Sequence, residues 1–314
     1  MSQHPSTSGP ASSSVLTPLV PHDLPDLEAY WIQAHPLHRR TGAMLRERIF
    51  GPPPADPQLL IAARRADDGC ILGVTAGVFP CGGEAIGGVR WVGALPGPDR
   101  EAVIVDLLAR LEERMRALGA RELRMLATPP HYLRPGVDTR ETWLIALLLR
   151  LGWRHDATHF NMTCDLRRWL CPPLQAIFAP DDAGITVRRG VAADREPLFA
   201  PIEREWSVGW RDAVTLAFAH DPIDVFVAVA GSEMIGFAAI EVDQCIGTFG
   251  PTGVVPVCRG RGIGRRLLWA CLHELRARGR ETCQIGWIGP VDFYHRSCGA
   301  IIGPTYWRLT RPLE

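Results

Sequence analysis

The sequence contains no lysine, so arginine supplies all 34 of its basic residues. This absence excludes phosphate-binding loops that depend on a lysine, and any phosphate contact must come from arginine or from backbone amides. The chain also lacks an excess of charge, because 34 acidic residues balance the arginines. A neutral chain has no overall field that would draw it to nucleic acid or to an anionic membrane. We therefore expect neither as a partner.

Paired cysteine motifs are missing as well. The nine cysteines are scattered and never spaced as Cys-x-x-Cys, which argues against a metal site and against a disulfide framework. Reduced thiols are typical of a cytoplasmic protein, and we expect that location. No apolar run approaches the length of a membrane span. The Ser/Pro-rich residues 1–14 lack the charged and apolar segments of a signal peptide, and we predict a disordered tail there.

The remaining composition is that of a folded protein. At 314 residues, 46% hydrophobic and 22% charged, the chain is long enough for two domains, each with its own core. The proline-rich stretch 171–184 interrupts the hydrophobic periodicity and is predicted to be a linker. Residues 224–242 form two β-rich runs joined by a Gly-Ser turn, the pattern of a hairpin. A third strand is predicted at 247–255 and a helix at about 264–278.

The two halves of the chain repeat one pattern when they are shifted by 160 residues. The helix sequences LLARLEERMRALGA and LLWACLHELRARGR then coincide, and both end at a glycine, Gly119 and Gly279. A proline ahead of each helix falls in the same register. Three landmarks in one register indicate two copies of one fold, which we place at 15–170 and 185–314.

A glycine- and arginine-rich loop, RGRGIG at residues 259–264, connects the third strand of the second copy to its helix. Its spacing excludes a dinucleotide fingerprint, because G-x-G-x-x-G would need a third glycine at position 265 or 267. An RNA-binding loop would carry interleaved aromatic residues and a net positive charge, and neither is present. Gly260, Gly262 and Gly264 leave backbone N–H groups accessible at the positive end of a helix, which favours an anion cradle anchored by Ile263. The alternative is a glycine-rich turn that binds nothing.

The stretch V-x-P-x-x-R-G-x-G-I-G-x-x-L-L at 254–268 closely resembles motif A of the GNAT superfamily of acetyl-CoA-dependent N-acetyltransferases. The order of strands and helices is also similar to that fold, strongly over 185–314 and weakly over 15–168. The resemblance implies a mixed α/β fold in two tandem copies, each with a largely antiparallel central sheet flanked by helices. It further implies acetyl-CoA as co-substrate, and a bacterial tandem subgroup in which some members acetylate amino sugars. The coenzyme-binding residues that it implies are Val254, Val255, Arg259, Gly260, Arg261, Gly262, Ile263, Gly264 and Arg265.

The first copy lacks the features of this loop. In the 160-residue register, Asp99, Ala102 and Ile104 stand where the second copy has an arginine and two glycines. A carboxylate would repel a pyrophosphate, and a β-branched side chain would block the approach of the backbone to phosphate. We predict that the first copy does not bind coenzyme A in the usual way and that it has a structural or substrate-shaping role.

The resemblance also implies a mechanism for the second copy. The acceptor amine attacks the thioester directly in a ternary complex, with no covalent enzyme intermediate. A backbone N–H of the strand around Thr252 would polarise the thioester carbonyl. Tyr294 matches the position of the residue that protonates the leaving thiolate, and His295 and Asp292 are the alternatives beside it.

The general base is less well defined. The position at which some family members carry a glutamate falls on Thr248, which cannot serve as a base. The nearest carboxylates are Glu241 and Asp243, at the end of the preceding strand. Each is equally compatible with an ordinary solvated charge at a strand end.

Contacts with the acceptor are expected in the segment EREWSVGWRD, which offers Trp206, Trp210 and Arg211. Two tryptophans four residues apart share one face if the segment is helical. They would be either core residues or a stacking wall for a sugar ring. We expect a small-molecule amine as acceptor, in a protein that is a monomer or a homodimer. A sensor that binds coenzyme A without catalysis is the alternative.

Overall fold

A computed structural model describes residues 14–38, 40–51, 56–81, 83–128, 133–206, 208–242 and 246–313. By its internal contacts the chain divides into two compact units. Unit 1 comprises Met1–Ala157 and Arg308–Glu314, and unit 2 comprises Thr158–Trp307. The domain limits predicted above remain a prediction. Residues 1–13 of the predicted tail lie outside the described residues, and Ser14 begins the first strand.

The described residues form strands and helices throughout the chain. The strands are β1 (Ser14–Pro18), β2 (Leu60–Arg65), β3 (Ile71–Val78), β4 (Ile86–Ala94), β5 (Glu122–Met125), β6 (Val137–Asp138), β7 (Arg154–Asp165), β8 (Ile185–Arg189), β9 (Val225–Ala230), β10 (Glu233–Ile240), β11 (Thr248–Val254), β12 (Thr282–Ile285) and β13 (Ile301–Pro312). The helices are α1 (Leu24–Ala34), α2 (Gly42–Leu45), α3 (Arg100–Ala117), α4 (Thr142–Arg150), α5 (Leu174–Phe178), α6 (Arg195–Glu205), α7 (Val208–Phe218), α8 (Ile263–Ala277) and α9 (Val291–Cys298). Short 3₁₀ turns lie at Pro21–Asp23, Pro57–Leu59, Ala192–Asp194 and Pro256–Cys258, and a π-helical turn at Arg46–Phe50.

The sheet of unit 1 is mostly antiparallel. β1, β2, β3 and β4 pair in sequence order as antiparallel neighbours. β5 then pairs with β4 in parallel, and Leu309–Pro312 of β13 pairs with β5 in the antiparallel sense. α3 packs on this sheet, because Gly73 and Gly77 of β3 leave room for the apolar side chains of the helix.

The sheet of unit 2 has the same arrangement. β8, β9, β10 and β11 are antiparallel neighbours, β12 is parallel to β11, and Met162–Asp165 of β7 pairs antiparallel with β12. Alternate residues of β9 and β10 point to opposite faces, as the pleat requires. One face packs against α8 and α9, and the other packs against α6 and α7. The sheet is therefore covered by helices on both faces, and the predicted hairpin is its β9–β10 pair.

The predicted internal repeat is visible in the strand register. In unit 1, Gly88 lies opposite Arg124 in the parallel pair. In unit 2, 160 residues later, Thr248 lies opposite Gln284. The major helices α3 and α8 also end at equivalent positions, each followed by a glycine in the left-handed conformation. The two units are copies of one pattern over these elements.

The predicted linker is held in place by one buried side chain. Arg266 of α8 donates from Nε to the carbonyl of Ile177 at 3.1 Å, and further hydrogen bonds reach the carbonyls of Ala179 and Ile185. Guanidinium groups satisfied in this way are well suited to fixing an irregular segment. The segment contains the short helix α5 and packs on α8 through the buried Ile177. Residues 171–184 therefore contain a short segment that packs on α8, and their role as a linker stays a prediction.

Candidate active site

β11 and β12 diverge after a short parallel pairing. They are paired only at Thr248–Gln284 and Phe249–Ile285. Beyond Phe249, β11 keeps its partner β10 on one side, up to Val254, while the edge that faces β12 is left open. Backbone groups on such an edge are available to a ligand that can pair with them.

A bulge lies where the divergence begins. Ile240 of β10 is opposite Phe249, whereas Ala238 is opposite Thr252, so β11 carries one extra residue in between. Gly250 occupies this bulge with a φ of 120°, which an L-residue rarely adopts. The hydroxyl of Thr252 donates to the carbonyl of Phe237 at 2.9 Å. This hydroxyl therefore helps to hold β11 on β10, and the chain beyond the bulge is turned towards the open edge.

A cavity of about 370 Å³ lies between the diverging strands of unit 2. It is lined by the open stretch of β11, by the chain that follows β12, by aromatic side chains and by part of the glycine loop. These residues are Trp206, Trp210, Phe249, Gly250, Pro251, Thr252, Gly253, Val254, Arg259, Gly264, Ile285, Gly286, Trp287, Ile288, Gly289, Pro290, Phe293 and Tyr294. The volume is that of a small-molecule pocket, and its walls are mainly apolar and aromatic.

The glycine loop forms one end of this cavity. Gly260 and Gly262 both have left-handed φ angles, 78° and 77°, and Gly262 is the residue on which α8 begins. Ile263 is buried, as predicted for an anchor. The first N–H groups of α8 have no acceptor within the helix, so they present a positive end to this loop. The guanidinium of Arg259 donates to the carbonyl of Val254 at 3.0 Å and ties the loop to β11.

Other predicted coenzyme contacts are placed around the same end. Arg261 and Arg265 are exposed, and Arg265 lies 5.0 Å from the centre of the Trp269 ring. Val255 does not line the cavity. Its N–H instead donates to the carbonyl of Ile235. Of the predicted coenzyme-binding residues, Val254, Arg259 and Gly264 line the cavity, while the N–H of Val255 is used in the sheet.

The corresponding loop of unit 1 is shorter. α3 begins at Arg100, three residues before the position that matches the start of α8. Arg100 donates from Nε to the carbonyl of Ala94 at 3.1 Å, which is the counterpart of the bond made by Arg259. The 160-residue register still sets Asp99 against Arg259, but the neighbouring Arg100 makes the equivalent hydrogen bond. An additional helical turn replaces the left-handed glycines, so the backbone of this loop does not form the same cradle.

Trp206 and Trp210 lie together at the cavity, although not on one helix. Trp206 is the residue that ends α6, and Trp210 belongs to α7. Their rings are nearly parallel, at 14°, with centres 5.7 Å apart, and both meet the edge or face of Phe237. The prediction of a shared helix face is wrong because a helix break falls between them, but the two rings form one wall. Arg211 is not in that wall and pairs with Glu203.

Trp206 packs directly on Gly253 of β11. A Cβ atom added at Gly253 would lie 2.6 Å from Cε2 of the indole and closer still to Cζ2, so only glycine leaves room for this ring. Unit 1 repeats the arrangement at the equivalent strand position, where Gly93 makes room for His35, the residue that ends α1. In each unit, the ring of the residue that follows a helix, Trp206 after α6 and His35 after α1, therefore packs on the glycine at the equivalent strand position.

Tyr294 reaches the cavity from α9. Its ring makes edge contacts with Phe249 and Phe293, and its residue is 7% exposed. Burial raises the pKa of the Tyr294 hydroxyl above its ordinary value, and the neighbouring thiols of Cys298 and Cys283 act in the same direction. The hydroxyl therefore stays protonated at neutral pH and can give up a proton to a basic leaving group.

The predicted bases and alternative acids are placed elsewhere. Glu241 accepts hydrogen bonds from Arg280 at 2.8 Å, from Arg278 at 3.1 Å and from the N–H of Gly247 at 2.7 Å. Burial acts to raise the pKa of Glu241, but these partners outweigh it and the pKa lies below its ordinary value. Glu241 does not line the cavity, and its contacts indicate a structural role, while Asp243 lies outside the described residues.

His295 and Asp292 are also committed to local contacts. A ring nitrogen of His295 is 3.1 Å from the carbonyl of Ala300, and Asp292 is an exposed partner of Arg296. Of the described residues that line the cavity, none is an aspartate, a glutamate or a histidine. Tyr294 is thus the most direct proton donor that the described lining offers.

Trp287 is a cavity residue that the sequence did not point to. It follows β12 with a φ of 43°, in the left-handed region that a bulky residue rarely adopts. Its backbone N–H donates to Oδ1 of Asn161 at 2.8 Å, and its indole N–H donates to Nδ1 of His159 at 3.2 Å. Strained backbone of this kind clusters at functional sites. In the sequence, the signal was the position of Trp287 two residues after β12, the strand that diverges from β11.

Two kinds of feature are absent from the part of the chain that the structure describes. No group of three or more His, Cys, Asp or Glu side chains is arranged to hold a metal ion there. Within the same residues, no helix is both long and apolar enough to cross a membrane.

Known proteins are similar to the part of the chain that contains these residues. The sequence profile described as "Acetyltransferase (GNAT) family" matches residues 192–300. The chain is 26% identical to the mycothiol acetyltransferase of Rhodococcus erythropolis over 204 residues, 59% of this chain and 67% of that protein. It is 26% identical to the mycothiol acetyltransferase of Rhodococcus opacus over 296 residues, 84% and 92% of the two chains.

Solved structures resemble the whole chain in fold. A GCN5-related glucosamine N-acetyltransferase region of a fungal multi-domain β-N-acetylglucosaminidase superposes with a TM-score of 0.76 at 20% identity. This match covers 96% of the chain but only 38% of that larger protein. A tandem GNAT protein from the clavulanic acid biosynthesis pathway superposes with a TM-score of 0.70 at 15% identity and covers 96% and 98% of the two chains.

Proposed function

We propose that this protein moves an acetyl group from acetyl-CoA to a primary amine of a small molecule, since residues 192–300 match the profile of the GNAT acetyltransferase family. The reaction proceeds by direct attack in a ternary complex. The observation that carries the proposal is the cavity between β11 and β12, which joins the glycine loop at one end to Tyr294 and the tryptophan wall.

The loop residues fit the pyrophosphate of the co-substrate. Left-handed Gly260 and Gly262 expose backbone N–H groups beside the positive end of α8, an arrangement that favours phosphate oxygens. Exposed Arg261 and Arg265 add positive charge around it. The co-substrate supplies the activated acetyl group, and the open edge of β11 offers backbone groups along the cavity to the amides of its pantetheine arm.

The reacting carbonyl would be held at β11. A backbone N–H near Thr252 fulfils the oxyanion-hole role, because it is fixed before the reaction and needs no reorganisation. Tyr294 then protonates the leaving sulfur. Burial disfavours the ionised form of this hydroxyl, so it holds its proton at neutral pH, and the proton that the attacking nitrogen releases restores the phenol after transfer.

An amino sugar is the acceptor class that we propose. The nearly parallel rings of Trp206 and Trp210 present flat apolar surface to the cavity, and such surfaces stack on the apolar faces of sugar rings. Relatives whose names specify mycothiol and glucosamine acetylation support this class. Arg211, which was predicted to contact the acceptor, lies outside the wall.

The described lining contains no carboxylate or imidazole base, and this also bears on the acceptor. An amine flanked by electron-withdrawing groups, like an α-amino group with a pKa near 8, has a much larger neutral fraction at neutral pH than lysine with a pKa near 10.4. We expect kcat/KM to rise with pH along the titration of the acceptor amine. A panel of acceptors with different amine pKa values, assayed from pH 6 to 9, checks whether the midpoint follows the acceptor. A midpoint that stays constant across the panel would show a base supplied by the enzyme.

The described lining offers no base, which also favours a second function, a sensor that binds coenzyme A without catalysis. Calorimetric titration with acetyl-CoA, followed by an acetyl-transfer assay over amino sugars and simple alkylamines, separates the two. Binding with transfer supports the enzyme, and binding without transfer to any amine supports the sensor. Absence of acetyl-CoA binding would refute both.

A further inference from the structure

One face of the β4–β5 pair in unit 1 gathers several hydrogen-bond donors. Gly88 of β4 lies directly opposite Arg124 of β5 in the parallel register. Residues opposite one another in neighbouring strands project to the same face, and so do residues two apart on one strand. Arg90 is the extra residue of a bulge in β4, since Val89 lies opposite Gly77 and Trp91 lies opposite Ala76. Its position is therefore given by its contacts, a hydrogen bond to the carbonyl of Arg48 and proximity to Cys81.

Cys81 and Thr128 cover the glycine on this face. A Cβ atom at Gly88 would lie 2.6 Å from Cγ2 of Thr128 and 2.8 Å from Sγ of Cys81, so the glycine makes room for both side chains. Burial raises the pKa of the Cys81 thiol, although Arg124 and Arg90 act to lower it. Both guanidinium groups are therefore close to Cys81, and the thiol itself remains neutral.

Arg90 is buried, and no described residue provides it with a counter-ion. It is 1% exposed, and its one hydrogen bond with the described residues runs from Nη1 to the carbonyl of Arg48 at 3.2 Å. Its Nε has no acceptor. Burial lowers the pKa of Arg90, and the positive charge of Arg48 lowers it further. A charge removed from water in this way costs several kcal/mol unless an opposite charge accompanies it.

Two neighbouring donors are also unpaired among the described residues. Nε of Arg124 and Oγ1 of Thr128 are buried and have no hydrogen-bond partner, and no carboxylate forms an ion pair with Arg124. Arg124 as a whole is only partly buried, so part of its side chain is in contact with solvent. The cluster consists of two guanidinium groups and one hydroxyl, and among the described residues Nε of Arg90, Nε of Arg124 and Oγ1 of Thr128 have no acceptor.

We infer that Arg90, Arg124 and Thr128 form a binding site in unit 1 for an oxyanion, the phosphate or carboxylate group of a small ligand. Guanidinium groups with free N–H donors are the side chains best matched to such groups. The site belongs to unit 1 alone, because the positions 160 residues later are Gly250, Gln284 and Ile288. Where unit 2 has glycine in its cavity lining, unit 1 has the buried Arg90.

Thermal unfolding of the full chain in inorganic phosphate, acetate or chloride at matched ionic strength tests this site. We expect phosphate or acetate to raise the Tm of the wild type relative to chloride, and the anion with the larger effect identifies the preferred group. Arg90→Met should remove that anion-dependent increase. In chloride this variant should be at least as stable as the wild type, since an uncompensated buried charge has been replaced by an apolar side chain of similar length.

Three further variants make the result specific. Arg110→Met removes an exposed arginine of α3 in the same unit and should leave the anion effect unchanged. Gly264→Ile, which blocks the loop of unit 2, should retain the part of the effect that depends on Arg90. Thr128→Val keeps the buried shape without the hydroxyl, and should weaken phosphate binding in a calorimetric titration roughly tenfold, as expected for one hydrogen bond to a charged group.

Either of two results would overturn the inference. The first is a wild type whose Tm is the same in all three salts. The second is a result in which the Tm of Arg90→Met falls equally in every salt, or still rises fully with phosphate or acetate. Either behaviour would make Arg90 a structural residue. If Arg90→Met does not fold, the Thr128→Val titration decides alone, and unchanged phosphate affinity there refutes the site.

Discussion

The pair of glycines at the same strand position in the two units allows a matched experiment on the active site. We predict that Gly253→Ala impairs acetyl transfer, whereas Gly93→Ala, its counterpart in unit 1, does not. In both variants the new Cβ would overlap the ring of a C-cap residue, Trp206 after α6 in unit 2 and His35 after α1 in unit 1. The steric change is therefore the same, and only one of the two rings lines the cavity.

The magnitude follows from the geometry at Gly253. The added Cβ would lie 2.6 Å from Cε2 of Trp206, while carbon atoms in contact are about 3.5–4.0 Å apart. The indole must therefore withdraw by roughly 1 Å. Overpacking of this kind costs about 1–3 kcal/mol, which for a unit of this size lowers Tm by about 2–4 °C per kcal/mol. A displacement of about 1 Å at a reaction site can cost up to roughly 100-fold in rate.

The assay compares the two variants with the wild type. Thermal unfolding should show similar losses of stability for Gly253→Ala and Gly93→Ala. Steady-state kinetics should show a loss of about tenfold to 100-fold in kcat/KM for the acceptor in Gly253→Ala alone. Equal kinetic effects in both variants would mean that activity follows overall stability. Unchanged kinetics in Gly253→Ala would mean that the position of Trp206 does not matter to the reaction, and would refute the reasoning.

Three further predictions concern single side chains. Tyr294→Phe should lower kcat by about 100-fold or more, the usual range for a lost general acid, while calorimetry should show unchanged acetyl-CoA binding. Tyr30→Phe in unit 1 is the control. Equal losses of kcat in the two variants would contradict the assignment of Tyr294 as the acid. Gly264→Ile should abolish acetyl-CoA binding while leaving the circular dichroism spectrum intact, because a side chain there enters the cavity; normal binding would place the cradle elsewhere. Burial lowers the pKa of His35 to about 4 from 6.5, so the unfolded state binds the proton more readily and stability should fall as the pH drops from 6.5 to 4. His35→Gln should reduce that dependence in denaturant unfolding curves, and an unaltered pH profile would count against it.

Much of the fold could be predicted from local sequence, because its signals lie within short segments. The β-rich runs around Gly231 predict a hairpin, and the apolar spacing of α8 together with Gly279 predicts its helix and its end. The repeat could be recognised because both units keep these local signals in the same 160-residue register. The left-handed glycines of the loop are likewise a local requirement, since only glycine adopts that backbone without strain.

The partners of individual side chains could not be predicted, because they depend on contacts between distant segments. Glu241 has the chemistry of a base, yet Arg278 and Arg280, almost forty residues later, hold it as an ion-pair partner. Trp287 reaches the cavity wall only because Asn161 and His159 bind it from a strand more than 120 residues earlier.

The sequence by itself therefore determined the repeated strand and helix order and the left-handed glycine loop at the start of α8, since these follow from backbone preference and hydrophobic spacing. Only the tertiary structure decided which side chains surround the cavity. It set Trp206 on Gly253, left the edge of β11 open beyond Phe249, and buried Arg90 with no counter-ion from the described residues. Packing brings together residues that share no local pattern, and burial then changes what their side chains can do.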